Sequence, residues 1–307
     1  MKISVVTSIY YSQGYINEFY DRISEAAKKI TSDYELIFVS DGKTDSCTDT
    51  IKETLTKDSK VKLIELSRNF GAAAARWEGL KHATGEYIFV LDADLEENPE
   101  LLNTFYSKLG NTESTDVVFG YIERRKGGLI EKFSGWVFYR SFEFWTGIKM
   151  IGSPVWVRLM KRNYVNALLK YGEQHLFAIG IMKLVGFNQI GIPIEKKSKG
   201  YSSYSLTKKV SQTFDSIISF SDRPLRMISL GGVLTSVIAL LFITYLAYSK
   251  IFLNEYMAGW TSLIASVFLV GGLNMAAIGI VGLYVGKTFQ QSKNRPRAIV
   301  KKTYNFE

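Results

Sequence analysis

The sequence predicts an α/β domain with a mostly parallel sheet, followed by two C-terminal transmembrane helices. Short β-branched runs alternate with helical patterns from residue 1 to about residue 125, which is typical of parallel strands joined by crossover helices. Two long segments near the end of the chain carry no charge. The predicted strands are Ile3–Ser8, Tyr34–Ser40, Val61–Leu66, Tyr87–Leu91 and Val117–Tyr121, and the predicted helices are Tyr15–Ile30, Asp45–Leu55, Ala72–His82 and Pro99–Leu109.

The two uncharged segments predict membrane-spanning helices. Met227–Ser249 runs for 23 residues and Tyr256–Gly286 for 31 residues without a charge, and about 20 residues cross the hydrocarbon core of a bilayer. A buried core helix is the alternative, but such helices seldom exceed about 20 residues. The second segment carries Gly271, Gly272, Gly279, Gly282 and Gly286, small residues that allow another membrane helix to approach closely.

The net charge of +9 is concentrated near the C-terminus, where residues 287–307 hold six Lys and Arg against one acid. Arg223 and Arg226 precede the first apolar segment. Because cytoplasmic flanks carry the excess of Lys and Arg, we expect a multi-pass protein of the inner (cytoplasmic) membrane whose N-terminal domain faces the cytoplasm. Nucleic-acid binding is the weaker interpretation, because few aromatic residues interleave these cations.

Changes in composition predict the domain boundaries. An aromatic-rich run around residues 128–150 fits either a helix in the lipid headgroup region or a helix packed on the sheet. The segment that leads into the first apolar helix fits an amphipathic juxtamembrane segment. The predicted boundaries are 1–205 for the α/β domain, 206–226 for the juxtamembrane segment, 227–249 and 256–286 for the membrane helices, and 287–307 for a basic tail.

A pair of acidic residues follows the fourth predicted strand. Asp92 and Asp94 stand two residues apart, and hard carboxylate ligands suit Mg²⁺ or Mn²⁺, with substrate phosphates completing the coordination shell. An Asp-x-Asp pair alone often lies in a solvated loop, but its place after a buried strand favours a metal site. The single cysteine, Cys47, excludes an intrachain disulfide, and two histidines argue against a Cys/His zinc site.

Polar residues also follow the second and third predicted strands. Ligands of open parallel sheets bind at the carboxyl ends of the strands. Asp41 could accept a hydrogen bond from a base or a ribose, and Arg68 could reach a phosphate, although an Arg at a strand end is often part of a surface ion pair.

The order of motifs resembles one known family. Val-Ser-Asp-Gly, Ser-Arg-Asn-Phe-Gly, Asp-Ala-Asp-Leu-Glu-Glu-Asn-Pro-Glu, Arg-Leu-Met and Ser-Phe-Ser-Asp-Arg-Pro-Leu-Arg precede the two apolar segments. This series is similar to the family 2 polyprenyl-phosphate glycosyltransferases, which have the Rossmann-like GT-A fold and include dolichol-phosphate mannose synthase and the bactoprenol glucosyltransferases. The resemblance covers nearly the whole chain.

The resemblance implies inverting transfer of a sugar from a nucleotide sugar, here UDP-glucose or a related UDP-hexose, to a polyprenyl phosphate such as undecaprenyl phosphate. The lipid-linked sugar would serve cell-surface polysaccharide modification, as for O-antigen and lipopolysaccharide. By this resemblance Asp92 and Asp94 hold the metal, Asp94 and Arg158 act in catalysis, and Arg158 lies near the acceptor phosphate. The basic loop 196–204 closes near the diphosphate. The implied substrate-binding residues are Thr7, Ile9, Tyr10, Asp41, Arg68, Asn69, Asp92, Lys197, Ser203 and Tyr204.

The chain departs from the family pattern in ways that affect the chemistry. Ser40 replaces a second acid before Asp41, and Trp156 stands where many relatives carry an Asp assigned as catalytic base. The first-strand loop also lacks the usual Pro and Asn-Glu pair. A base is not strictly required, because the second pKa of a phosphate monoester is about 6. Asp94 or Glu123 could still act as base, and the sequence selects neither.

Two other functional interpretations and one hypothesis about assembly stay open at this point. A nucleotide-dependent oxidoreductase is disfavoured because no Gly-x-Gly-x-x-Gly follows the first strand. A catalytically inactive relative that binds lipid or scaffolds an export complex is favoured by Ser40 and Trp156, but the acidic pair argues against it. Because relatives assemble and the second apolar segment is glycine-rich, a homo-oligomer is a further hypothesis.

Overall fold

The computed structural model separates into two compact units. The first comprises Met1–Arg140, Ile148–Tyr204 and Arg295–Glu307, and the second comprises Ser141–Gly147 and Ser205–Asn294. The structure describes residues 1–9, 14–42, 46–110, 114–123, 140–149, 151–173, 178–196, 217–248 and 259–306.

Strands and helices alternate through the first half of the chain, as the sequence predicts. All five predicted strands and all four predicted helices of this half are present within two or three residues of their expected ends. The described elements are β1 (Ile3–Ile9), α1 (Ile16–Lys28), β2 (Tyr34–Ser40), α2 (Ser46–Lys57), β3 (Val61–Leu66), α3 (Ala72–His82), β4 (Tyr87–Val90), α4 (Leu101–Gly110), β5 (Val117–Ile122), β6 (Ser153–Lys161), α5 (Arg162–Leu169), α6 (Ala178–Leu184), β7 (Gln189–Pro193), α7 (Arg223–Tyr248), α8 (Trp260–Ser292) and β8 (Val300–Tyr304).

One sheet organises the first unit. Its strand order is β7-β5-β6-β4-β1-β2-β3-β8. Strands β1 to β4 pair in parallel, as do β5 and β7, whereas β6 runs antiparallel between β4 and β5. The carboxyl ends of β1, β2, β3 and β4 therefore meet at one edge of the sheet, and loops from all four strands can contribute to one site.

Apolar residues on both faces of the central strands explain their place in the sheet. Every residue of β1 and β2 is buried, as expected for strands covered by helices on both sides. Helix α3 approaches β1 and β2 closely at Gly79, where an added Cβ would lie 2.4 Å from Val6 Cγ1 and 3.0 Å from Val39 Cγ2. Only glycine fits this contact, and it sets the depth at which α3 packs on the sheet.

The C-terminal residues add an edge strand that was not predicted. The sequence predicts a basic tail over 287–307, whereas α8 continues to Ser292 and β8 pairs antiparallel with β3. The Arg297 guanidinium lies 4.6 Å from the centroid of the Trp77 ring and donates a hydrogen bond to Glu173 O at 2.7 Å. These contacts join the C-terminal segment to the first unit and cover an otherwise open sheet edge.

Two helices of the second unit are long and apolar enough to cross a membrane, which agrees with the predicted pair of C-terminal apolar helices. The candidate spans are Arg223–Phe242 and Ser266–Ser292, each with a mean hydropathy of 2.0. Among the described side chains of these helices many large apolar ones are exposed, for example Phe268, which is 78% exposed, and Leu230, which is 70% exposed. Apolar surface of this extent is typical of contact with lipid or with another protein.

The segments before the first apolar helix are described only in part. Residues 128–139 and 206–216 lie outside the described residues, as does most of the aromatic run. Residues 140–146 are helical, with Phe142 buried against Phe220 at a ring distance of 6.0 Å and Phe144 exposed. The headgroup interpretation of the aromatic segment stays a prediction.

A buried carboxylate joins the strands at the end of the sheet opposite the acidic pair. Glu35 on β2 accepts hydrogen bonds from Ser4 Oγ at 2.5 Å, from Thr84 N at 2.7 Å and from Lys62 Nζ at 2.8 Å. Burial alone would raise the pKa of Glu35, but these hydrogen bonds outweigh it and lower the pKa to about 2. The ionised form of Glu35 is therefore the form that the fold stabilises.

We expect Glu35→Gln to lower the free energy of unfolding by about 3 kcal/mol at pH 7, since the folded pKa lies about two units below the unfolded value of about 4.3. A depressed pKa stabilises the fold above the unfolded pKa, and this contribution is lost as the pH falls through the folded value. The difference between wild type and variant should therefore shrink from about pH 4 towards pH 2. Urea unfolding of the detergent-solubilised chain measures it, and a pH-independent difference would contradict the assignment.

Candidate active site

The predicted site residues after β1 to β4 lie at the same edge of the sheet. Thr7 and Ile9 are buried on β1, and the amide of Asp41 donates to Ile9 O at 3.4 Å. Thr7 Oγ1 has no hydrogen-bond partner among the described residues. Four further residues predicted to bind substrate lie outside the described residues, namely Tyr10, Lys197, Ser203 and Tyr204.

Asp41 fastens the loop that follows β3. Its carboxylate is 2% exposed and accepts hydrogen bonds from Phe70 N at 2.7 Å and from Gly71 N at 2.9 Å. The next residue, Gly42, has φ +73°, and a Cβ there would lie 1.7 Å from the carbonyl carbon of Arg68. The loops after β2 and β3 are thus held in contact, and the geometry gives Asp41 a role in shaping the site.

Arg68 and Asn69 lie on this loop. The Arg68 guanidinium packs 4.1 Å from the centroid of the Phe70 ring and donates to Asn69 O at 3.2 Å. Among the described residues no carboxylate pairs with Arg68, so the surface ion pair considered from the sequence is not seen there. Asn69 Oδ1 accepts a hydrogen bond from Gly71 N at 3.0 Å. An exposed cation at this edge is placed where a phosphate could approach.

We expect Asp41→Asn to lower the free energy of unfolding by about 2 kcal/mol, because one of the two backbone amides would then face an amide NH₂ group instead of a charged acceptor. Asp21→Asn, an exposed change on α1, is the matched control and should have little effect. Urea unfolding of the full chain measures both variants. Unchanged stability together with weakened nucleotide binding would contradict the role in fastening the loop.

The acidic pair follows β4 in a tight turn. Asp94 Oδ1 accepts a hydrogen bond from Glu96 N at 3.1 Å, and Leu95 between them has φ +56°, a left-handed conformation uncommon for a residue with a Cβ. Asp92 and Asp94 are both partly exposed, whereas Ala93 and Leu95 are buried. The turn therefore directs alternate residues into the core and into the site.

Asp92 has a partner that the sequence does not predict. Arg76 on α3 forms an ion pair with Asp92 through Nη2 and Oδ1. The Arg76 guanidinium also lies 4.5 Å from the centroid of the Trp156 ring on β6, and Arg76 is only 6% exposed. The single sequence signal was an arginine within the run Ala-Ala-Ala-Ala-Arg-Trp, where a solvated helix face would be the ordinary interpretation.

Two further titratable side chains, Glu97 and Lys196, lie beside the acidic pair. Glu97 is 1% exposed, and its burial raises the pKa of its carboxyl to about 7. The negative charge of Asp92 adds to this rise, and the nearby ammonium of Lys196 opposes it. Lys196 Nζ lies 2.8 Å from Glu96 Oε2 and 3.6 Å from Glu97 Oε1. Lys196 therefore ties the start of the predicted basic loop to the acidic turn.

Arg158 on β6 pairs with Val90, the last residue of β4, which precedes Asp92 by two positions. It is 2% exposed, burial lowers its pKa, and its guanidinium donates to Val155 O at 3.0 Å and Trp156 O at 3.2 Å. No carboxylate among the described residues neutralises it. Arg158 lines an open pocket with the exposed cations Lys149 and Lys183; the other lining residues are Phe119, Ile151, Pro154, Ile179 and Gln189.

The acidic pair fits a divalent cation by the chemistry of its donors. Asp92 and Asp94 offer hard oxygen ligands on a partly exposed turn. The described residues contain no group of three His, Cys, Asp or Glu placed to hold a metal. The fit is therefore to a cation that shares its coordination shell with phosphate oxygens and water, as Mg²⁺ commonly does.

Comparison with known proteins identifies the family. The model of glycosyl transferase family 2 matches residues 4–169, more than half of the chain. The chain belongs to glycosyltransferase family 2. A Mycobacterium tuberculosis protein with only a general glycosyltransferase name is 40% identical over 307 residues, covering 100% of this chain and 90% of its own length. A prophage bactoprenol glucosyl transferase homolog of Escherichia coli K12 is 28% identical, covering 98% of this chain and 99% of its own length.

A solved enzyme structure shares the fold. Glucosyl-3-phosphoglycerate synthase from Mycobacterium tuberculosis, in complex with Mn²⁺, UDP-glucose and phosphoglyceric acid, superposes with a TM-score of 0.53 at 16% identity, covering 71% of this chain and 79% of that one. The predictions of a family 2 enzyme and of a GT-A-like, mostly parallel sheet with two C-terminal apolar helices are thereby confirmed.

Proposed function

We propose that this glycosyltransferase moves a hexose from a UDP-sugar, UDP-glucose or a related UDP-hexose, to a polyprenyl phosphate such as undecaprenyl phosphate. The observation that carries the proposal is the joining of a family 2 domain to two exposed apolar helices in one chain. Such helices would keep the domain beside a lipid acceptor. Full-length relatives named bactoprenol glucosyl transferases support the same acceptor class.

The acidic turn is the proposed place of the donor diphosphate. Asp92 and Asp94 would hold Mg²⁺ or Mn²⁺, which when bound neutralises charge that develops on the departing diphosphate. The basic loop that begins at Lys196 and includes Lys197, Ser203 and Tyr204 would close over the diphosphate. Asp41 and the loop at Arg68 and Asn69 would shape the nucleotide side of the site.

The pocket at Arg158 is the proposed place of the acceptor phosphate. A buried guanidinium without a carboxylate partner among the described residues, with Lys149 and Lys183 in the same pocket, suits a dianionic group. At neutral pH the phosphate monoester is already largely deprotonated, because its second pKa is about 6. Positioning this phosphate for attack opposite the leaving group would then suffice, and the attack would invert the anomeric carbon. A carboxylic acid at position 156, where this chain has Trp156, would not be needed.

The membrane arrangement is part of the proposal. Arg223 and Arg226 before the first apolar helix and the cations after the second favour a cytoplasmic catalytic domain in the inner membrane. There the lipid-linked sugar would supply modification of a cell-surface polysaccharide. We also propose a homo-oligomer formed through the glycine-rich helix α8. Chemical crosslinking in native membranes should give multimers, and recovery of monomers alone would contradict the oligomer.

A donor panel tests the proposed function. The purified full chain is incubated with undecaprenyl phosphate, Mg²⁺ or Mn²⁺ and one of a set of UDP-, GDP- and dTDP-sugars, and the lipid product is identified by mass. We expect one UDP-hexose to give a sugar-linked undecaprenyl phosphate. Absence of product with every donor would contradict the proposal, and failure to bind UDP and metal as well would favour the inactive, lipid-binding relative.

A further inference from the structure

Arg76 occupies an unusual position for a buried cation. Its guanidinium lies between the Trp156 ring at 4.5 Å and the carboxylate of Asp92, and Arg76 Nε has no hydrogen-bond partner among the described residues. The cation comes from α3 and the ring comes from β6, so two separate elements hold it in place. Stacking on an aromatic face strengthens when the cation is desolvated, and Arg76 is almost fully buried.

This fixed charge acts on the proposed metal site. A cation that binds Asp92 must share the carboxylate with Arg76, because the ion pair already uses Asp92 Oδ1. Two positive charges at one carboxylate repel each other, and the repulsion is strong where solvent screening is weak. Arg76 therefore weakens the attraction of Asp92 and Asp94 for a free divalent cation.

A donor diphosphate would reverse this balance. Its negative charges would lie next to both cations, so the repulsion between Arg76 and the metal would be offset only in the presence of donor. If the donor tightens metal binding by some factor, thermodynamic linkage requires that the metal tighten donor binding by the same factor. The result would be a site that takes up metal and nucleotide together.

We propose that Arg76, clamped on Trp156, is a positioning residue that couples metal binding to donor binding at the Asp92–Asp94 pair. The proposal rests on the proposed metal site, but it does not depend on the identity of the sugar or the lipid. It assigns a role to Trp156. The aromatic ring holds the cation on Asp92.

The test measures Mn²⁺ binding without turnover. Electron paramagnetic resonance of free aqueous Mn²⁺ gives its Kd for the full chain in detergent, with and without UDP. We expect Arg76→Met to tighten Mn²⁺ binding in the absence of UDP by at least about ten-fold, and to reduce the factor by which UDP improves it. Arg76→Lys keeps the charge and should restore most of the wild-type behaviour.

Two further variants make the result specific. Arg162→Met removes a partly buried arginine that donates to Gly85 O at the opposite end of β4, so it controls for net charge and should leave the Kd unchanged. Trp156→Leu leaves Arg76 in place without its aromatic support and should tighten Mn²⁺ binding by a smaller factor. It also serves as the second test if Arg76→Met does not fold, as judged by circular dichroism.

Several outcomes would overturn the proposal. These are an unchanged or weaker Mn²⁺ affinity in Arg76→Met, an equal change in Arg162→Met, or no Mn²⁺ binding by the wild type even with UDP. Failure of the proposed function appears differently, as absence of a lipid-linked sugar from a protein that still binds Mn²⁺ and shows the Arg76 effect.

Discussion

Asp94→Ala should lower kcat/KM for sugar transfer by at least about 10³-fold, because it removes one of the two proposed metal ligands. Charge stabilisation by a catalytic metal is worth several kcal/mol, and about 4 kcal/mol corresponds to a factor of 10³. Asp94 also anchors the turn by accepting the Glu96 amide, so Asp94→Asn, which keeps an oxygen acceptor, separates ligand loss from turn loss. Both variants should be nearly inactive if the metal role is correct.

The matched control for Asp94 is Asp33→Asn, an exposed change before β2 at the other end of the sheet. It removes the same charge and should retain wild-type kcat/KM. Steady-state assays of lipid-linked sugar give the rates, and Mn²⁺ binding gives an independent reading of ligand loss. An Asp94→Ala enzyme that retains more than a tenth of wild-type kcat/KM would contradict the assignment of Asp94 as metal ligand.

Arg158→Met should lower kcat/KM for the polyprenyl phosphate by about 10²-fold, with little change in UDP affinity. Hydrogen bonds between charged groups contribute about 1.5–3 kcal/mol each, and one such loss is a factor of roughly 10 to 150. Methionine fills the buried space without a charge, so the fold should persist. Arg158→Lys keeps the charge but loses the planar fork and should recover only part of the rate.

Lys183→Met removes an exposed cation of the same pocket. We expect it to lower kcat/KM for the polyprenyl phosphate by less than Arg158→Met does. Acceptor kinetics at saturating donor and UDP binding by calorimetry separate the two substrates. If Arg158→Met weakened UDP binding as strongly as acceptor use, or changed neither, the proposed acceptor pocket would be wrong.

The fold was predictable wherever local patterns carry the information. Strands β1 to β5 are short β-branched runs separated by helical periodicity, and the structure contains all five. Strand β6 was missed because Pro154 and Arg158 interrupt its apolar pattern. Strand β8 was missed because it has two lysines in five residues and forms only by pairing with β3, as in the contact of Tyr304 with Leu63.

The candidate site was also predictable only in part from local sequence patterns. Asp41 and Asp92 follow buried parallel strands, so the shared sheet edge was foreseeable from topology. The contacts of Arg76 were not, because the chain must first fold to bring α3 against β6 and set the guanidinium on Trp156. The buried carboxyl of Glu97 beside Lys196 depends likewise on a distant segment. Sequence patterns locate the ends of strands, whereas tertiary packing selects the partners of each charge.

The most direct measurement of the central claim compares acceptors under one set of conditions. The purified full chain, with its preferred UDP-hexose and Mn²⁺, is given undecaprenyl phosphate, undecaprenol without the phosphate, or a short water-soluble phosphate monoester, and the products are identified by mass. We predict efficient transfer only to undecaprenyl phosphate, with loss in Asp94→Ala. Equal transfer to the soluble phosphate, or transfer to undecaprenol, would contradict a membrane enzyme that glycosylates a lipid phosphate.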